Sequence, residues 1–147
     1  MARVASWRTA YPLSAEVFDA GHGIRVVLPI VPPSANELKR HTGIRVAAAI
    51  RKATKKWLGD ALLKATAGTP GLNRVTGKRR VQIVCYRGRE LDADNTSAGC
   101  KPITDELVEA GLLQDDGPKW CDLRPVVQVV VKTRGQWRTE AYIEAVS

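Results

Sequence analysis

The sequence predicts an α+β domain in which a mixed β-sheet of about four to five strands packs against two main helices. Three observations predict it. Apolar residues alternate, or run as β-branched stretches, around 22–29, 79–86, 126–131 and 138–146. Two other stretches, 45–67 and 101–112, repeat apolar residues at helical steps. The resulting order is strand, helix, strand, helix, strand, strand, which alternates too irregularly for a purely parallel fold.

Residues 1–21 carry no clear period and read as irregular. From His22 to Pro29, Ile24, Val26 and Leu28 alternate with Arg25 and Val27, giving a strand that Pro29 and Pro32-Pro33 terminate. Ser34-Ala35-Asn36 reads as a turn. Between Arg45 and Ala67 the apolar stripe is Val46, Ile50, Ala53, Trp57, Ala61 and Ala65. Arg51, Lys52, Lys55 and Lys56 lie off that stripe, as either a phosphate-tracking face or an ordinary hydrated one. Gly68, Pro70, Gly71 and Gly77 mark a loop. Arg79–Tyr86 is a strand with Val81, Ile83 and Cys85 on one side. Lys101–Leu112 is helical, with Pro102 in the first turn and Gly111 as the stop. Val126–Val131 is almost continuously β-branched and reads as a central strand; Arg138–Val146 gives the last one.

The chain has 147 residues, enough for one domain spanning 1–147, and 44% of them are hydrophobic, enough for a core. No apolar run approaches the ~20 residues of a membrane helix, and the amino terminus lacks the apolar block of a secretory signal. The expected compartment is the cytoplasm. Cys85, Cys100 and Cys121 are widely spaced with no C-x-x-C, so reduced thiols are expected rather than a zinc site. Net charge is +8, and it is unevenly spread. Residues 37–80 hold twelve Lys or Arg against two acids, whereas 85–122 hold four against nine. An acidic segment inside a basic chain suits a metal site embedded in a phosphate-binding surface. Candidate DNA contacts are Lys39, Arg40, Arg51, Lys52, Lys55, Lys56, Arg79, Arg80, Arg87 and Arg89.

The informative acids are Asp92, Asp94, Asp105 and Asp115-Asp116, with Asn95 and Lys101 among them. If the chain stays extended after the strand, Asp92 and Asp94 point the same way. Lys101 and Asp105 share a helix face. Like-charged carboxylates about 4 Å apart cost roughly 4 kcal/mol per pair at an effective dielectric near 20, so such a group needs protonation, a lysine or a cation. Magnesium takes oxygen ligands and uses one or two carboxylates with substrate phosphate. That chemistry fits metal-assisted phosphodiester hydrolysis, with Lys101 offsetting charge in the transition state. Turns, helix caps and a plain helical ion pair explain the same residues without catalysis. An EF-hand calcium loop is excluded, because counting from Asp92 Ser97 replaces its glycine and Ile103 its glutamate.

Two blocks resemble the RusA family of Holliday junction resolvases. One is Leu28-Pro29-Ile30-Val31-Pro32-Pro33-Ser34-Ala35-Asn36; the other is Asp92-x-Asp94-Asn95, Lys101, Asp105, Leu107, Gly111 and Asp115-Asp116. The resemblance implies a RusA-like fold and a homodimer that nicks branched DNA symmetrically with magnesium, manganese being a substitute. It implies Asp92, Asp94 and Asp116 as metal-binding catalytic residues and Lys101 as the catalytic lysine. Asn95, Asp105 and Asp115 take supporting places. Thr96–Cys100 is a few residues longer than the compact motif, and 1–21 is an unmatched extension.

Overall fold

A computed structural model describes residues 7–18, 22–34, 43–66 and 77–146. The Ala35-Asn36 part of the turn, Lys39, Arg40, Arg74 and the Gly68–Gly71 loop lie outside the described residues, as does the side chain of Ala65.

The elements in chain order are β1 Ser14–Phe18, β2 Gly23–Leu28, α1 Gly43–Thr66, β3 Arg79–Arg87, α2 Ala93–Gly99, α3 Lys101–Glu109, β4 Cys121–Leu123, β5 Val127–Val130 and β6 Arg138–Ala145. A 3₁₀ turn, Arg134–Gln136, precedes β6. The six strands form one sheet, ordered β1-β2-β6-β3-β4, with β5 continuing along β3 beyond β4. Pairing is antiparallel from β1 to β3, whereas β4 and β5 both run parallel to β3. The domain is α+β with a mixed sheet, as the sequence predicts.

Three expectations change. The amino-terminal stretch is not wholly irregular: β1 pairs with β2, Val31 N–H donates to the Trp7 carbonyl at 2.7 Å, and the Trp7 side chain is buried. Its alternation (half-buried Ala15 and Val17, exposed Ser14 and Glu16) is too short and too weakly apolar to stand out. The Val-rich run is an edge, not a centre: β5 pairs with β3 alone, leaving Val127 44% and Val130 58% exposed. The centre belongs to β6, held between β2 and β3 with Ala141 opposite both Val26 and Ile83. On α1 the fully buried row is Ile50, Thr54, Leu58 and Ala61. Thr54 hides the row in sequence because its hydroxyl marks it as polar.

One sheet face carries the core. Val26 and Leu28, Val81 and Ile83, and Ala141 and Ile143 meet Ile50 and Leu58 of α1 and Ile103 and Leu107 of α3. The other face is organised by Glu140, which is 1% exposed. Its carboxylate accepts from Arg25 at 2.7 Å, Arg138 at 2.7 Å and Tyr142 at 2.7 Å. Arg138 lies 3.6 Å above the Tyr86 ring. Burial works against the Glu140 charge, but the bonds from Tyr142, Arg138 and Arg25 outweigh it and hold the carboxyl below the usual carboxylate range.

Gly111 sets the exit of α3. Its φ of 81° is left-handed, Leu112 N–H reaches the Leu107 carbonyl at 3.0 Å, and Gly111 N–H reaches Val108 at 3.0 Å. This is a Schellman stop, closed by buried Leu107 and Leu112. It turns the chain back toward Asp115-Asp116.

Glu140→Gln keeps the shape but removes the acid shared by Arg25 and Arg138, leaving Arg25 only its pair with Glu16. Urea unfolding should show a loss of about 3 kcal/mol, the low end for a broken buried pair because both arginines remain partly hydrated. A loss under about 1 kcal/mol would show that the network does not hold the outer face.

Candidate functional site

In the parallel part of the sheet, β3 leads through α2 and α3 to β4, so the acidic segment leaves from the carboxyl end of β3. Ligand sites in such units form there, where loops emerge above the strand ends. Gln128 of β5 fixes the emerging loop. Its side-chain amide donates to the Leu91 carbonyl at 2.7 Å and accepts from Leu91 N–H at 2.8 Å. Asp92 follows directly.

Asp92 is the residue before α2 and Asp94 lies in its first turn; both are exposed. The extended geometry expected for this pair is absent. Once Ala93 begins a helix, neighbours two apart turn to different sides of it, and carboxylates gather at a helix start because its N–H groups are unpaired there. The long Asn95–Lys101 segment also finds its place. Thr96–Gly99 completes α2, and Cys100 joins it to α3 in helical geometry (φ −84°, ψ −7°). A Cβ at Gly99 would collide with the Pro33 carbonyl oxygen, so the Pro-Pro block seats α2.

Lys101 opens α3 and is the hub of the cluster. Its Nζ donates to Asp116 Oδ2 and lies 3.2 Å from Asp105 Oδ1. Arg51 of α1 approaches Asp105 Oδ2 at 3.5 Å, and Asp116 N–H donates to Asp115 Oδ1 at 2.8 Å. The hydrogen bond to Asp116 raises the Lys101 pKa, with Asp105 adding to it, and the same bond lowers that of Asp116. Asn95 is half-buried in the first turn of α2.

The structure therefore brings together Lys101, Asp105, Asp116 and Arg51, with Asp115 bonded to the Asp116 backbone. It does not gather Asp92, Asp94 and Asp116: among the described residues no three acidic, histidine or cysteine side chains form a group that could hold a metal ion. As arranged, Lys101 neutralises Asp116. The physical reason is the one the spacing argument allowed for. A lysine within reach settles carboxylate repulsion as well as a cation does.

The basic candidates divide. Lys52, Lys55 and Lys56 are exposed on α1, the helix whose Arg51 reaches the cluster. Arg80 is tied to Asp122 at 3.0 Å, and Arg79 to the His22 carbonyl at 3.2 Å. Arg87 is buried, only 6% exposed, and donates to the Pro32 carbonyl at 3.2 Å. In β3 it shares the core face with Val81, Ile83 and Cys85. The three cysteines are free, as expected, and Cys85 and Cys100 lie 3.8 Å apart sulfur to sulfur. The hydrogen bond from Cys100, helped by the charge of Arg87, pulls the Cys85 thiol down to about 7.

Sequence reasoning misses the cavity beside this site. It lies at the carboxyl end of β3 between Trp7, Pro32-Pro33, Arg87, Arg89 and Trp137. These residues come from four distant parts of the chain, so no local pattern announces them.

No family model matches this sequence, and no curated protein matches it. Among solved structures, a candidate endoribonuclease from Shewanella oneidensis MR-1 is similar to it at 11% identity and a TM-score of 0.45, covering 97% of this chain and 89% of that one. Among the described residues no helix is long and apolar enough to cross a membrane.

Lys101→Met should raise the titration midpoint of Asp116 toward the usual carboxylate range of about 4, read by carboxyl-detected NMR. The sign follows from the pair. Asp116, lowered on folding, contributes stability above its unfolded pKa and loses it as pH falls through the lowered value; Lys101, raised, loses its share only as pH climbs past its own. An unchanged midpoint would mean that the two side chains do not meet in solution.

Proposed function

We propose that this chain is a magnesium-dependent, structure-selective endonuclease of the RusA type, resolving four-way DNA junctions by paired nicks as a homodimer. The observation that carries the reading is the Lys101 ammonium held between Asp105 and Asp116 at the start of α3. It is the lysine, four residues before Asp105, that resembles the lysine of the RusA motif, in a chain of net charge +8. Exposed Lys52, Lys55 and Lys56 offer phosphate contacts on the helix next to it. A lysine kept in place by two carboxylates is pre-positioned against a phosphodiester, and its charge offsets the negative charge that builds as the bond breaks. Asp92, Asp94 and Asp116 are the proposed catalytic and metal-binding acids. For Asp116 to take an ion, Lys101 must release it, and an exposed ion pair of this kind is worth only about 0–1 kcal/mol.

One observation favours a second reading, a DNA-binding module whose acids are structural: Asp116 is already neutralised by the chain itself. The two readings separate on a synthetic mobile junction incubated with and without magnesium and run on a denaturing gel. The nuclease gives magnesium-dependent nicks absent from matched linear duplex; the module gives none at any concentration.

Asp94→Asn should reduce cleavage by at least about 100-fold while junction binding stays within about twofold. Equal cleavage by mutant and wild type would remove Asp94 from the mechanism. Binding should also fall steeply with salt, by about 10³-fold between 50 and 200 mM if some six phosphates are contacted. A flat response in gel shifts would end the phosphate-tracking role of α1.

A further inference from the structure

The cavity at the carboxyl end of β3 is about 460 Å³, within the roughly 300–1,000 Å³ that small ligands use. Its lining combines flat apolar walls with positive charge: the indoles of Trp7 and Trp137, the ring of Pro32, and Arg87, Arg89 and Arg134. Among the described residues no Asp or Glu lines it. Arg134 lies 4.1 Å over the Trp137 ring, and a Cβ at Gly88 would come within 3.0 Å of that indole, so Trp137 is held from two sides.

Arg87 is the telling residue. It is buried, gives Nη1 to the Pro32 carbonyl, and pairs with no carboxylate among the described residues. Its Nε and Nη2 are sealed from solvent with no nitrogen or oxygen partner among the described residues, and the Cys85 thiol is the neighbour it bonds. A buried cation left with a thiol for company is costly, and an anion brought into the cavity would relieve it.

From these observations we infer that the cavity receives one unstacked nucleobase with its phosphate, the base between the indole and proline walls and the phosphate on the arginines. The inference rests on the nucleic-acid reading above and adds a substrate element to it. Bases out of a helix are held by aromatic and arginine planes in this way. The placement also suits the site. Leu91 lines the cavity, its backbone is pinned at both groups by Gln128, and Asp92 is the next residue. A base lodged here would hold its own backbone beside the start of α2. Pro32-Pro33 is shared by both, since it walls the cavity and seats Gly99.

The test uses the full chain and four-way junctions in which single thymines flanking the crossover are replaced by 5-iodouracil, or by an abasic residue that keeps the phosphate. Irradiation and peptide mapping should place the crosslink on Trp7 or Trp137. The abasic junction should bind on the order of tenfold more weakly, and Arg89→Gln, at an exposed position, should weaken the intact junction while leaving less for the abasic change to remove. Because the abasic arm alters only the DNA, it reads the pocket even if a variant at Trp137 fails to fold. Junction binding with crosslinks elsewhere, or equal affinity for intact and abasic DNA at every position, overturns the inference and leaves the proposed function standing. Failure to bind any junction overturns the proposed function and this inference with it.

Discussion

Everything in this fold hangs on the insertion of the last strand into the middle of the sheet. β6 pairs with β2 on one side and β3 on the other over almost its full length. Antiparallel pairing on both flanks fixes register, and a slip by one residue would send Ala141 and Ile143 out of the core and Glu140 into it. The register therefore places Glu140 on the outer face, where Arg25 and Arg138 can reach it. It also fixes where β3 ends, and so where Arg87, the cavity and Asp92 come to lie.

A second constraint acts at the crossover. A strand that returns parallel needs helix to cover the distance, and α2 with α3 supply it. The Schellman turn at Gly111 then decides that Asp115-Asp116 comes back alongside the start of α3 rather than running on. The meeting of Lys101 with Asp116 is a consequence of that reversal. The pair contributes little to stability, because both side chains are more than a third exposed. Its weight is electrostatic: it neutralises an acid in a crowded acidic segment and holds an ammonium at a defined place. The same weakness makes the arrangement easy to exchange for one in which Asp116 faces another cation.

Much of this was legible beforehand. The strands at 22–29, 79–86 and 138–146 and both long helices follow from side-chain periodicity, because each buries one face and the period is written in the residues doing so. Lys101 with Asp105 follows from helical spacing alone. The misses have equally local causes. Asp92-Ala93-Asp94 carries no apolar period, so nothing in it marked the helix that Thr96 and Gly99, packed inward, belong to. The Val-rich run looked central because β-branching reports fitness for a sheet rather than position within it.

What the sequence determined by itself is the α+β class, the identity and extent of most elements, the basic character of α1 and the acidic character of residues 85–122. Tertiary structure alone decided which strand is central, that Lys101 rather than a third carboxylate meets Asp116, and that Trp7, Arg87 and Trp137 enclose a cavity. The reason is separation along the chain. Periodicity records what each element does over a few residues, whereas a cavity built from residues 7, 32, 87 and 137 exists only once the sheet has chosen its order.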